Sequence, residues 1–201
     1  MDSALVSDGT YVRDTVRTSV KVLIVGHFAV GKTTLVGTLS EIRPLRTEER
    51  MTQAGALVDD LAGVPDKQTT TVAMDFGRLT LSESLVLYLF GTPGQHRFTQ
   101  LWHDLSRGAL GALVLADTRR LEQSFDIMNF LEEQKLRYAV AINQFDDGPS
   151  FPEEELREAL DLLPSTPLVT CDARDRASST RALIALVEYL VQIEQKRIRD
   201  L

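Results

Sequence analysis

The chain is poor in several residue types, and each shortage removes a class of protein. Its single cysteine, Cys171, cannot form an intramolecular disulfide, so a disulfide scaffold is excluded and a reducing compartment fits. Basic residues are the minority: 22 Lys and Arg against 29 Asp and Glu leave a net charge of −7, which argues against a nucleic-acid partner and against attraction to anionic lipid. No stretch nears the roughly 18 apolar residues of a membrane span, and residues 1–19 lack the apolar region of a signal peptide. Asp2 follows Met1 where N-myristoylation requires glycine, and no cysteine stands near Leu201, so no lipid anchor is expected. Direct membrane insertion is not expected either, and the location expected is cytoplasmic. The 201 residues, 43% of them hydrophobic, are enough for one well-filled core.

What is present is a regular alternation of short apolar runs with helical patterns. Residues 1–18 show no sustained period and read as a flexible arm before a single domain, 19–201. Strands are expected at Val20–Val25, Val72–Leu81, Leu85–Phe90, Ala109–Ala116, Arg137–Ile142 and Pro167–Thr170. Helices are expected from Lys32 to Leu39, Thr99 to Arg107, Leu121 to Glu133, Pro152 to Leu162 and Ser178 to Arg197. The last carries a stripe of Leu183, Leu186, Val187, Leu190 and Ile193. Pro44, Gly55, Gly63 and Pro65 interrupt residues 43–70, which read as a mobile segment. The alternation implies an α/β fold with a mostly parallel six-stranded sheet and helices on both faces. Ligands of such sheets lie at the carboxyl ends of the strands.

The first of those ends carries Gly26-His27-Phe28-Ala29-Val30-Gly31-Lys32-Thr33, followed by Thr34, which fits G-x-x-x-x-G-K-[ST] between strand and helix. Backbone N–H groups of such a loop wrap phosphates. Lys32 supplies charge to the β and γ oxygens, and the Thr33 hydroxyl ligates Mg²⁺. The motif specifies a nucleoside triphosphate without naming its base. Asn143-Gln144-Phe145-Asp146 occupies a later strand end and resembles the guanine-reading N-K-x-D motif of small GTPases, in which a carboxylate in the plane of the base accepts from the two donors on the N1/N2 edge of guanine.

In order, these motifs resemble those of Ras-like GTPases over about residues 20–195. That resemblance implies a P-loop NTPase with GTP or GDP and Mg²⁺ as cofactors. Asp146 then reads guanine, Asn143 ties its loop to the phosphate loop, and Gln144 stands where the family has a lysine stem along the base. Thr170-Cys171-Asp172-Ala173-Arg174 resembles the family's third base loop, with the Ala173 N–H as the expected donor to guanine O6 and Cys171 readable as a packed thiol. Thr69-Thr70-Thr71 resembles switch I, with Thr71 expected on Mg²⁺ and the γ-phosphate, or either neighbour in its place. Gly91-Thr92-Pro93-Gly94-Gln95 resembles switch II: Gly94 meets the γ-phosphate and Gln95 orients the attacking water.

Gly91 departs from that pattern, because it stands where the motif carries an aspartate associated with Mg²⁺. Asp75, on the neighbouring strand, is the substitute by topology; a salt-bridged or solvent-facing aspartate is the alternative. Phe28 replaces a small residue and either crowds Gln95 or packs over the loop. Arg46, Arg50 and Arg78 read as solvated, and His27, His96 and His103 as surface or loop histidines. With Gly63-Val64-Pro65-Asp66-Lys67, the motifs look most like the actinomycete conservon GTP-binding proteins of the bacterial polarity-type branch. That resemblance implies a roadblock-fold partner and a sensor-kinase-like operon partner, the latter a route of membrane recruitment. Two functions stay open: a slow GTP-hydrolysing switch with Gln95, Lys32 and Thr71 as its catalytic residues, or a nucleotide-binding scaffold with little turnover.

Overall fold

In a computed structural model, the described residues are 14–47, 74–94, 99–146 and 148–200. Thr71 and Gln95 lie outside them, as do most of segment 43–70 and most of the N-terminal arm.

Strand β1 (Thr18–Val25) opens the fold and runs through the phosphate loop into helix α1 (Lys32–Leu39). A three-residue strand β2 (Leu45–Thr47) precedes β3 (Met74–Thr80) and β4 (Leu85–Gly91). Helix α2 (Thr99–Ser106), β5 (Gly111–Ala116), a 3₁₀ turn at Leu121–Ser124 and α3 (Phe125–Glu133) follow. The chain closes with β6 (Tyr138–Asn143), α4 (Glu153–Ala159), β7 (Leu168–Cys171) and α5 (Arg176–Arg199). The sheet order is β2-β3-β4-β1-β5-β6-β7. β1 is parallel to β4 and β5, and the β5–β6 and β6–β7 pairs are also parallel, while β3 is antiparallel to β2 and β4. The six expected strands are all present, and β2 adds a short antiparallel seventh at the edge.

Period-2 alternation in the central strand builds two cores. Val22 and Ile24 point to the face covered by α1 and α5, where Leu35, Val36, Leu39, Leu183 and Leu186 pack. Leu23 and Val25 point the other way, into a core with Trp102, Ile127, Phe130, Leu131 and Leu156 from α2, α3 and α4. Burial on both faces makes β5 apolar throughout and β6 apolar up to its last residue, Asn143, every residue of each being buried.

The helices end where local chemistry stops or starts them. Asp175 caps α5, its side chain accepting from the Ser178 N–H at 2.7 Å, while Lys196, Arg197 and Arg199 sit in the last turn, where the dipole favours cations. Three glutamates, Glu153 to Glu155, occupy the first turn of α4 after Pro152. Arg78, expected to be solvated, is 7% exposed in β3, on the face turned away from α1, since its neighbour Gly77 is the one set against Val36. Among the described residues no helix is long and apolar enough to cross a membrane.

Candidate nucleotide site

The loop after β1 owes its shape to residues that tolerate positive φ. Gly26 and Gly31 have φ of 141° and 107°, and Ala29 has φ 63°. A Cβ at Gly26 would lie 2.4 Å from the Leu115 carbonyl oxygen, so any larger residue would push the loop off β5. Helix α1 begins at Lys32 with no side chain capping its first turn, which leaves its N–H groups directed at the loop. Lys32 folds back over the loop, Nζ donating to the Gly26 carbonyl at 2.9 Å and to that of His27 at 2.7 Å. Burial pushes its pKa down to about 8, against the opposing pull of the Asp75 charge.

Thr33 faces β3. Its hydroxyl donates to Asp75 Oδ2 at 2.5 Å, and Asp75 is 3% exposed, so the solvent-facing alternative for this aspartate is overturned. Register explains the pairing: Asp75 stands opposite Gly91 in the antiparallel β3–β4 ladder. A Cβ at Gly91 would lie 3.0 Å from the Asp75 Cβ, so a side chain at position 91 would crowd the Asp75 carboxylate. A hydroxyl and a carboxylate are hard oxygen donors of the kind Mg²⁺ takes with phosphates and water. No cluster of three or more His, Cys, Asp or Glu suited to a metal occurs among the described residues.

The turn after β4 lies on the phosphate loop. Thr92 N–H donates to the Ile24 carbonyl at 3.0 Å, and Trp102 Nε1 donates to the Pro93 carbonyl at 2.9 Å. Gly94 is then so close that an added Cβ would sit 2.5 Å from both His27 C and Phe28 N. Phe28, at 66% exposure, does not fold over the loop as packing. His27 lies in the loop but is buried, with Nδ1 2.7 Å from the Phe28 carbonyl oxygen, and burial lowers its pKa. His103 packs its ring edge-on against Phe130, while His96 and Arg50 lie outside the described residues.

Asn143, at the end of β6, joins three loops. Its Nδ2 donates to the Val30 carbonyl at 2.9 Å, and its Oδ1 accepts from the Ala173 N–H at 3.0 Å. The Ala173 amide, expected to donate to guanine O6, here donates to Asn143, which the parallel β6–β7 pair brings beside it. The Arg174 N–H is likewise turned to Asp172 Oδ1, at 2.9 Å. Cys171 is buried in the α1–α5 core, its thiol pushed up by burial, so it packs rather than faces a ligand. Gln144 N–H donates to the Cys171 carbonyl at 2.7 Å, holding the two base loops side by side. Asp146 is exposed, and the Arg174 guanidinium bonded to it holds its carboxyl below the usual range.

Two residues of this rim went unnoticed in the sequence. Asp117 follows β5 and is 2% exposed. Burial would raise its pKa, but Arg119 overrides this through Nε at 3.0 Å and Nη2 at 2.8 Å and holds it low. The same guanidinium lies 3.9 Å from the Phe145 ring centroid, fixing the middle of the Asn143–Asp146 loop. The signal available was Asp-x-Arg at a strand end, too short to separate from an ordinary turn.

The strand order, the glycine loop between β1 and α1, and the loops after β6 and β7 define a P-loop NTPase with the G-domain fold. The chain belongs to the family described as conserved hypothetical ATP binding proteins, whose model matches residues 24–193. It is 33% identical over 131 residues to the uncharacterized protein MJ1339 of Methanocaldococcus jannaschii, covering 64% of this chain and 72% of that one. Among solved structures it resembles the G domain of the T. maritima FeoB iron transporter, with a TM-score of 0.60 and 22% identity over 86% of this chain and 99% of that one. The GDP form of the same transporter's cytosolic domain matches with a TM-score of 0.61 and 20% identity, over 86% of this chain and 64% of that longer one.

Proposed function

We propose that this chain is a guanine-nucleotide-binding switch that hydrolyses GTP slowly with Mg²⁺. The observation carrying this reading is the Asn143 bridge, which binds the phosphate loop and both base loops into one unit with Asp146 at its rim. A bound nucleotide would span this unit, phosphates on the loop from Gly26 to Thr34 and base at Asp146. Lys32 exchanges its two carbonyl acceptors for β and γ oxygens, and the N–H groups at the start of α1 donate to the remaining phosphate oxygens. Thr33 and Asp75 would hold Mg²⁺, with Thr71 joining in the GTP state; the ion, when bound, neutralises charge on the β and γ oxygens. Gln95 orients the attacking water for in-line displacement, and Gly94 reports the γ-phosphate through its N–H. With no arginine among these groups positioned on the γ-phosphate, intrinsic turnover is slow.

The resemblance to the conservon and polarity-type branch supports a cytoplasmic role in signalling through a roadblock-fold protein and a sensor-kinase-like protein. A second reading has its own observation. Phe28 stands exposed on the phosphate loop where it obstructs an approaching partner arginine, which favours a nucleotide-binding scaffold with little turnover. A third nucleotide, ATP, is suggested by the family description; against it, adenine offers a carboxylate at Asp146 no pair of donors. Titration of the purified chain with fluorescent GDP and ADP analogues, with and without Mg²⁺, tests the base and the metal together. Guanine selectivity strengthened by Mg²⁺ is expected, and equal or tighter ADP binding would overturn the guanine reading. Phosphate release from GTP that disappears in Gln95→Leu separates the switch from the scaffold.

A further inference from the structure

The carboxylate reserved above for the base already has an occupant in this fold. Arg174 lies in the turn between β7 and α5. It donates from Nη1 to Asp146 Oδ2 at 3.0 Å and from Nη2 to Asp146 Oδ1 at 2.9 Å. Its other edge faces Asp172, with Nε 3.0 Å from Oδ1 and Nη2 3.0 Å from Oδ2. The guanidinium is thus gripped on two edges by two carboxylates. The edge turned to Asp146 has a specific chemistry: two parallel, coplanar N–H donors. Guanine presents the same pair at N1–H and N2–H, and adenine does not.

We propose that Arg174 is an internal surrogate for guanine, competing with the base for Asp146. The inference rests on the guanine reading of the site. When a guanine nucleotide binds, Arg174 gives up its Asp146 edge and stays tethered through Asp172, which also accepts from its backbone N–H. The competition acts on bases that require the carboxylate, so it weakens guanine nucleotides and leaves adenine nucleotides alone. Asp146 and Arg174 side chains are 84% and 56% exposed, which keeps the pair weak and sensitive to salt. Arg174 therefore tunes selectivity and release without closing the site.

The test is calorimetric titration of GDP and ADP, with Mg²⁺, into the wild-type chain, Arg174→Ala and Arg174→Lys at low and high salt. Arg174→Ala is expected to tighten GDP about two- to fivefold, the range of an exposed ion pair, with ADP unchanged. Arg174→Lys, which keeps the charge but loses the fork, should fall between. The gain should shrink at high salt. Unchanged or weaker GDP binding by Arg174→Ala, in a protein that prefers GDP to ADP, overturns the surrogate role while sparing the guanine reading. Equal tightening of GDP and ADP overturns it too. A wild-type chain with no guanine preference overturns both.

Discussion

Asp75 and Gly91 face each other across the β3–β4 ladder, so the Asp75 carboxylate lies beside position 91. Its oxygen lies 2.5 Å from the Thr33 hydroxyl, beside the phosphate loop. An antiparallel pair brings opposite residues within side-chain reach of the same point, which sets Asp75 there although Gly91 carries no side chain.

Asp75→Asn should keep the fold and lose the ion. Loss of one oxygen donor's charge is expected to reduce the Mg²⁺ enhancement of GDP binding on the order of 10- to 100-fold. GDP titrations over a Mg²⁺ series check it, and an unchanged Mg²⁺ dependence would assign Asp75 a purely structural bond to Thr33.

Asn143→Ala leaves the Val30 carbonyl and the Ala173 N–H without their partner in a buried place. The expected destabilisation is about 2–4 kcal/mol, from two unsatisfied backbone groups. Urea denaturation measures it. Nucleotide affinity should fall as well, since the phosphate and base loops are no longer joined.

Gly94→Ala has no space for its methyl, which would meet two backbone atoms at 2.5 Å. The turn must move off the phosphate loop, at about 1–3 kcal/mol. Melting temperature should drop, and GTP should lose any advantage over GDP while GDP affinity changes little. Comparison of GDP with a non-hydrolysable GTP analogue reads this difference.

Lys32 gives the site a pH dependence. Phosphates favour its charged form, and with a pKa of about 8 that form dwindles as pH rises. Between pH 7 and pH 8.5 the charged fraction falls about fourfold, so the GDP dissociation constant should rise roughly fourfold. The ligand-free fold behaves oppositely. Its lysine binds a proton less tightly than the unfolded chain does, so stability rises with pH between about 8 and 10.5. Titrations at two pH values and a melting series test the two signs separately.

The phosphate loop was legible in the sequence because its chemistry is consecutive: Gly26 to Thr33 are neighbours in the chain as in space. Asp75 could be reached by topology, since hairpin strands must pair. Asp146 and Asn143 were legible as residue types at a strand end, and the link from Asn143 to the phosphate loop, made through the Val30 carbonyl, was legible too; their partners after β7 were not. Arg174 lies 28 residues beyond Asp146, and the Ala173 amide that Asn143 engages lies 30 residues beyond it. Such contacts are set by how β6 and β7 align, which no local pattern encodes. The burial of His27 and Arg78 was missed for a related reason: residue type favours exposure, and tertiary packing overrides it. The edge strand β2 is three residues long, too short for any period to show.

Whether Asp146 reads a guanine base is tested most directly by a change of base. Asp146→Asn replaces two acceptors with one acceptor and one donor. That pattern suits xanthine, which has an N1–H donor beside a C2 carbonyl. Binding of GDP and xanthosine diphosphate should be measured for both proteins with Mg²⁺. The wild-type chain should prefer GDP, and the variant should reverse that preference. A variant that binds GDP as tightly as the wild type, with no gain for xanthosine diphosphate, would contradict the account.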